Sequence, residues 1–196
     1  MQRAALALAA WVALAPVAGA QTDVVVNMEP PEGWPWKLGD VTGTLGGTAM
    51  AWETYDFSIG ALDAAVWAGD WEGSVVLHLR GHVPGRPQQA QRQLRVNADF
   101  GDRLQAGPAT GPVTVLYLRG AEEGGARMSS KGQTASLTIE SLMKDPENVN
   151  YGHITGTITA RLCPVNWFGK TCQDLSLRFD TDMQFDGEFP IRPGKM

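Results

Sequence analysis

The clearest pattern along the chain lies near its C-terminal end. There Leu175, Leu177, Phe179, Thr181, Met183 and Phe185 alternate with Ser176, Arg178, Asp180, Asp182, Gln184 and Asp186. A period of two sustained this long predicts a strand with one buried and one solvated face. Ile154, Gly156, Ile158, Ala160 and Leu162 alternate in the same way with Thr155, Thr157, Thr159 and Arg161. The short segment between these strands carries Cys163 and Cys172, so the predicted unit is an antiparallel hairpin with both cysteines at its tip.

The pattern recurs upstream with less regularity. Val75, Leu77 and Leu79 mark one strand, and Leu94, Val96, Ala98 and Phe100 mark another, joined by residues 84–93. Residues 113–118 and 135–142 supply two more, with a short strand near Met128 between them. Asp145-Pro146 turns the chain into the Ile154 strand. Residues 41–57 are β-rich but interrupted by Gly43, Gly46 and Gly47, which predicts a bulge or a bend. Only residues 61–68, rich in alanine, read as helical, for at most two turns. Strands at short intervals with no long 3.6-periodic segment predict an all-β fold, a single-domain antiparallel β-sandwich, with a closed β-barrel as the alternative. The expected domain runs over residues 41–196, preceded by a Pro-rich lead-in over 21–40. An outer-membrane barrel fits less well, because strand lengths are irregular, paired aromatic girdles are missing, and residues 190–196 are polar and Pro-rich.

The first twenty residues change the compartment. Arg3 is followed by an Ala/Leu-rich run to Ala15, Pro16 breaks it, and Ala18-Gly19-Ala20 has the small-x-small form of a signal-peptidase site. The expectation is a signal peptide over residues 1–20, cleaved before Gln21. A retained anchor is the alternative, disfavoured because the run is short and dominated by weakly hydrophobic alanine. No cysteine for lipid attachment stands at the junction. The whole chain has 16 Lys and Arg against 21 Asp and Glu, and losing Arg3 leaves a net charge near −6. That sign disfavours nucleic acid and anionic membrane surfaces as partners. The protein is therefore expected to be periplasmic or secreted, with no integral membrane segment after cleavage.

In an oxidising compartment, two cysteines closing a short loop predict a disulfide, Cys163–Cys172, contributing about 2–3 kcal/mol in the chain-entropy model. A metal pair is disfavoured, since the spacing is not C-x-x-C and no histidine is near in sequence. His78 and His82 would share a face on a helix, but in a strand they stand about 13 Å apart, too far for one ion. With His153 they are expected as surface or edge residues. No G-x-S-x-G or S-x-x-K motif is present, and the glycine clusters lack the strand-to-helix setting of a phosphate-binding loop.

Asp180, Asp182 and Asp186 share a strand face at spacings near 7 and 13 Å, which would suit either carboxylate hydrolysis or a calcium ion. The stronger expectation is a solvated polar face. Tryptophans are concentrated at Trp34, Trp36, Trp52, Trp67 and Trp71, with Trp167 in the cysteine loop. Exposed indoles would make a platform for sugar rings, so Trp52, Trp67, Trp71 and Trp167 are the candidate ligand contacts. Against this, Trp52 and Trp67 could fill the core while Trp34 and Trp36 pin the N-terminal segment.

The sequence thus predicts a non-catalytic binding module of the cell envelope. It would take a small ligand, a glycan or an envelope protein, and no catalytic residue, metal site or cofactor is assigned. A small secreted hydrolase using carboxylates or calcium is the alternative. A structural component of an envelope assembly, paired through a strand edge, is the third reading.

Overall fold

The computed structural model describes residues 32–57, 62–68, 74–89, 91–120, 127–148, 150–165 and 171–185. Among them are eleven strands and no helix. They are β1 (Trp36–Leu45), β2 (Thr48–Asp56), β3 (Ala64–Ala68), β4 (Val75–Gly81), β5 (Gln93–Asp99), β6 (Gly107–Pro108), β7 (Val113–Leu118), β8 (Arg127–Ser129), β9 (Ala135–Lys144), β10 (Tyr151–Pro164) and β11 (Gln173–Phe185). The expected signal peptide lies outside the described residues, as does most of the expected lead-in. The first strand begins at Trp36, inside the stretch expected to lead into the domain.

The fold is an all-β, sandwich-like arrangement made from one continuous sheet. Strands β2, β1, β11, β10, β9 and β6 form one half, and β3, β4, β5, β7 and β8 the other. The two longest strands, β10 and β11, turn both corners with their ends. Cys163 and Pro164 of β10 pair with Ser129 and Met128 of β8, while Gln184 and Phe185 of β11 pair with Ala65 and Val66 of β3. The β11–β3 contact is parallel, unlike every other strand pairing among the described residues. It makes the sheet a mixed one, within the all-β, sandwich-like class that the sequence predicts. Among the described residues each corner holds two residue pairs, so narrow contacts join the two halves.

The described part of the stretch expected to be helical, residues 62–68, is not helical. Ala64–Ala68 pairs along its whole length with β4 and at two positions with β11. Five residues are too few for a stable helix, and ladder bonds on both sides override alanine's weak helical preference.

The predicted alternation is observed. Leu175, Leu177, Phe179, Thr181, Met183 and Phe185 point inward from β11 and are nearly devoid of exposure, as are Ile154, Ile158 and Leu162 on β10. With Leu77, Leu79, Leu94 and Val96 from the other half they form one contiguous core. Inward glycines on β10 make room for aromatic rings on β11. Gly156 lies opposite Phe179, and Gly152 lies against the Phe185 ring. Thr54 and Thr181, both buried, satisfy one another at 2.7 Å between hydroxyl oxygens. The disulfide joins Cys163 to Cys172 at the hairpin tip, as the sequence predicts.

Two bulges shape the outer surface of the first half. In β1 the register shifts between Lys37 and Gly39, leaving Leu38 unpaired. In β9, Ser141 opposes Thr155 and Ile139 opposes Gly156, so Glu140 is the extra residue. One inserted residue reverses the facing of everything beyond it. Met143, which strict alternation from Leu137 and Ile139 would bury, is turned outward beside His153 and is 55% exposed.

Candidate functional site

The two bulges deliver Leu38 and Met143 to one cleft of about 540 Å³, at the end of the first half-sheet where β9 passes into β10. Pro146 and Tyr151 complete its apolar wall. Asp145, Asn148, His153 and Asp182 supply polar groups. A concave site of this size with a few convergent polar groups suits a small ligand or part of a larger one.

The loop beneath the cleft is held by its own hydrogen bonds. Asp145 Oδ1 accepts from the Glu147 amide at 2.8 Å, and the Asp145 and Tyr151 amides donate to the Tyr151 and Asn148 carbonyls. The Phe185 amide bonds the Asn150 carbonyl at 2.7 Å, tying this loop to the end of β11. Asx turns of this kind give a short polar loop one conformation.

His153 organises the rim. It stands directly opposite Asp182 in the β10–β11 ladder. Its Nδ1 lies 2.7 Å from Asp182 Oδ1, and its Nε2 lies 2.9 Å from Asp180 Oδ1. The carboxylates are more than half exposed and the imidazole about one third. Asp180 and Asp182 therefore share an open strand face as predicted, but both are engaged by one histidine. Asp186 lies outside the described residues. Among the described residues, no group of three or more His, Cys, Asp or Glu side chains is placed to hold a metal ion.

The tryptophans distribute differently from the candidate set. Trp52 is 1% exposed, its indole N–H donates to the Arg92 carbonyl at 2.7 Å, and its ring meets Tyr117 edge-on. It is a core residue and offers no face to a ligand, because β2 alternates and Trp52 falls on the inward side with Thr54. Trp71 and Trp167 lie outside the described residues, as does the side chain of Trp67, whose backbone pairs with Val76. Trp34 Nε1 bonds the Phe57 carbonyl at 3.0 Å, pinning the N-terminal segment. Trp36, not in the candidate set, is 42% exposed.

The histidines also separate. His78 is partly exposed and faces Asn97 Oδ1 at 2.8 Å. His82 is 4% exposed, correcting the expectation that it is a surface residue. Its Nε2 lies 3.0 Å from Asp63 Oδ2, and the rings of Tyr55 and Phe57 cover it. Reciprocal bonds between the Glu53 and His82 backbones bring β2 across the end of β4.

Beside this buried pair, the Tyr55 hydroxyl bonds the Glu53 carboxylate, which also accepts from the Gly85 amide and Lys37 Nζ. Burial pushes the Glu53 carboxyl up, but bonds from Tyr55, Gly85 and Lys37 outweigh it and leave it below its usual value. The Tyr55 phenol is pushed up to about 12, by burial first and by the Glu53 bond second. Lys37 is raised by its hydrogen bonds to Asp40 and Glu53. Tyr55 and Lys37 bind their protons more tightly when folded, so their stabilisation is complete below the unfolded values and is lost as pH rises through the folded ones. The melting temperature is expected to fall between about pH 10 and 12, with Tyr55 contributing on the order of 2 kcal/mol. Tyr55→Phe should flatten that decline, and identical alkaline profiles for the two proteins would exclude this origin.

The Leu38–Met143 wall was not legible in periodicity, since two inserted residues create it. The His153–Asp182 pairing did leave a signal. Counting ten residues away from the hairpin tip, down from Cys163 and up from Cys172, reaches His153 and Asp182. Comparison of the chain with protein-family models, curated proteins and solved structures returned no match.

Proposed function

We propose that the protein acts outside the cytoplasm as a non-catalytic binding module, and that the cleft between Leu38 and Tyr151 receives its ligand. One observation carries this reading. Four apolar side chains and the His153–Asp182 pair converge on a concavity built by two bulges and an ordered loop. Bulges that re-aim side chains recur at functional sites. The ligand best suited to it has an apolar face and hydrogen-bond donors for the carboxylate rim, as a sugar ring or a short peptide segment does. The Cys163–Cys172 disulfide and the N-terminal export pattern support an oxidising compartment.

The test is a titration of the full-length protein with a panel of oligosaccharides and peptides, following the Met143 methyl and His153 ring resonances. A saturable shift is expected at both, and Met143→Asp should weaken it about tenfold or more by placing charge on the apolar wall. Shifts confined to residues remote from the cleft would move the binding function elsewhere.

A further inference from the structure

The outer face of the second half-sheet gathers three arginines from separate strands. Arg80 on β4 stands directly opposite Arg95 on β5. In the adjoining row Gln93 opposes Leu118, which opposes Arg127 on β8. All three arginines are exposed on the outward side of their strands. Like charges directly opposite one another in a ladder are destabilising. No described carboxylate forms an ion pair with any of the three.

Two described acids, at the ends of β3 and β5, are already engaged. Asp63 is buried against His82 and the Tyr55 amide, and Asp99, four residues along β5, accepts from the Gly101 amide. Arg95 is also partly fixed, because its Nε donates to Gln93 Oε1 at 2.7 Å. Burial, reinforced by repulsion from Arg80 and Arg127, lowers its proton affinity. A chain with a net negative charge has thus collected three cations on one face, where no described carboxylate pairs with them.

From this juxtaposition we infer that Arg80, Arg95 and Arg127 form a binding site for a phosphate-class oxyanion. Cβ atoms of directly opposite residues lie about 5 Å apart, so two guanidiniums can reach one small anion. A carboxylate occupies one bidentate fork, whereas the several oxygens and greater charge of a phosphate can engage two or three. Leu116, half-buried between Arg95 and Ser129 in the same row, provides apolar surface for the group that bears the phosphate. The site is on the opposite half of the fold from the cleft and does not depend on it.

The experiment records the arginine Nε–Hε spectrum of the full protein during titration with inorganic phosphate, against sodium chloride at matched ionic strength. Parallel samples receive phosphatidylglycerol or phosphatidylcholine vesicles. Saturable shifts at Arg80 and Arg95 with phosphate are expected, and Arg95→Ala should weaken binding about tenfold or more. Arg95→Lys, which keeps the charge but loses the fork, should weaken it less. Arg178→Ala, on the other half-sheet, should leave it unchanged. Because Arg95→Ala relieves repulsion at an exposed position, its melting temperature should match or exceed that of the parent, which separates lost binding from lost folding. Response to phosphatidylglycerol vesicles alone would support the site and assign the phosphate to a lipid headgroup. Shifts that chloride reproduces, an equal loss in Arg178→Ala, or no response to either phosphate source would overturn the inference.

Discussion

Replacing Asp63 by alanine is expected to remove about 4 kcal/mol of folding stability, read as a lowered urea midpoint of tryptophan fluorescence. The carboxylate is 3% exposed and serves two partners, His82 Nε2 at 3.0 Å and the Tyr55 amide at 2.9 Å. Removing it leaves both polar groups buried, and each such group costs about 1–3 kcal/mol. Water cannot readily substitute, because Tyr55 and Phe57 rings close over His82. Asp63→Asn should cost less. Gln93 Nε2 faces His82 Nδ1 at 3.5 Å, with Gln93 Oε1 already accepting from Arg95. That arrangement makes Nδ1 the acceptor and leaves Nε2–H to donate, so an asparagine could satisfy Tyr55 through its carbonyl while its own NH2 opposes the imidazole N–H. The expected order is parent, then Asp63→Asn, then Asp63→Ala. An alanine variant within about 0.5 kcal/mol of the parent would show that the pair contributes little.

Gly156→Val should also be strongly damaging, at about 3 kcal/mol or more, and should reduce the yield of folded protein. A Cβ at this position would lie 2.2 Å from the Thr138 carbonyl oxygen and 2.5 Å from Phe179 Cζ. The first obstacle is backbone of the neighbouring strand and cannot rotate away. The second is a fully buried ring directly opposite in β11. A double-mutant cycle with Phe179→Leu distinguishes these obstacles. Shortening the ring relieves part of the strain, so the combined loss should be smaller than the two single losses added together. Strict additivity would mean that the carbonyl contact alone carries the cost. Gly156→Val with the parent's melting temperature would mean that β9 and β10 separate easily, contrary to the tight register between them.

The same glycine illustrates what alternation conveys. Leu175, Phe179 and Phe185, with Ile154 and Ile158, follow period two, and both strands and their hairpin were legible because one face is buried along their whole length. The disulfide was legible as well, since the tip of that hairpin brings its cysteines together. The Ala64–Ala68 strand was not. Its residues carry only a weak preference of their own, and the state they adopt is set by β4 and β11, remote in sequence.

For the site, residue type conveyed less than register. The tryptophans drew attention because they are large and amphipathic, yet Trp52 belongs to the core, where its ring fills volume and its N–H finds a backbone carbonyl. Asp180 and Asp182 were recognised as one face, but His153 became their partner only when β10 was aligned with β11. His82 looked like a surface histidine because its own strand places it outward. What buries it is β2 crossing from elsewhere in the chain.

The sequence by itself determined the all-β class, the long crosslinked hairpin and the sidedness of its strands. These follow from local periodicity and from a loop too short to offer many alternatives. Only the tertiary structure decided the two corners, the parallel β11–β3 contact, the bulges that turn Leu38 and Met143 into the cleft, and the gathering of Arg80, Arg95 and Arg127. The physical reason is the same in each case. Pairing between strands distant in sequence is fixed by burial of the whole core, and one inserted residue reverses which side chains meet, an effect no local window contains.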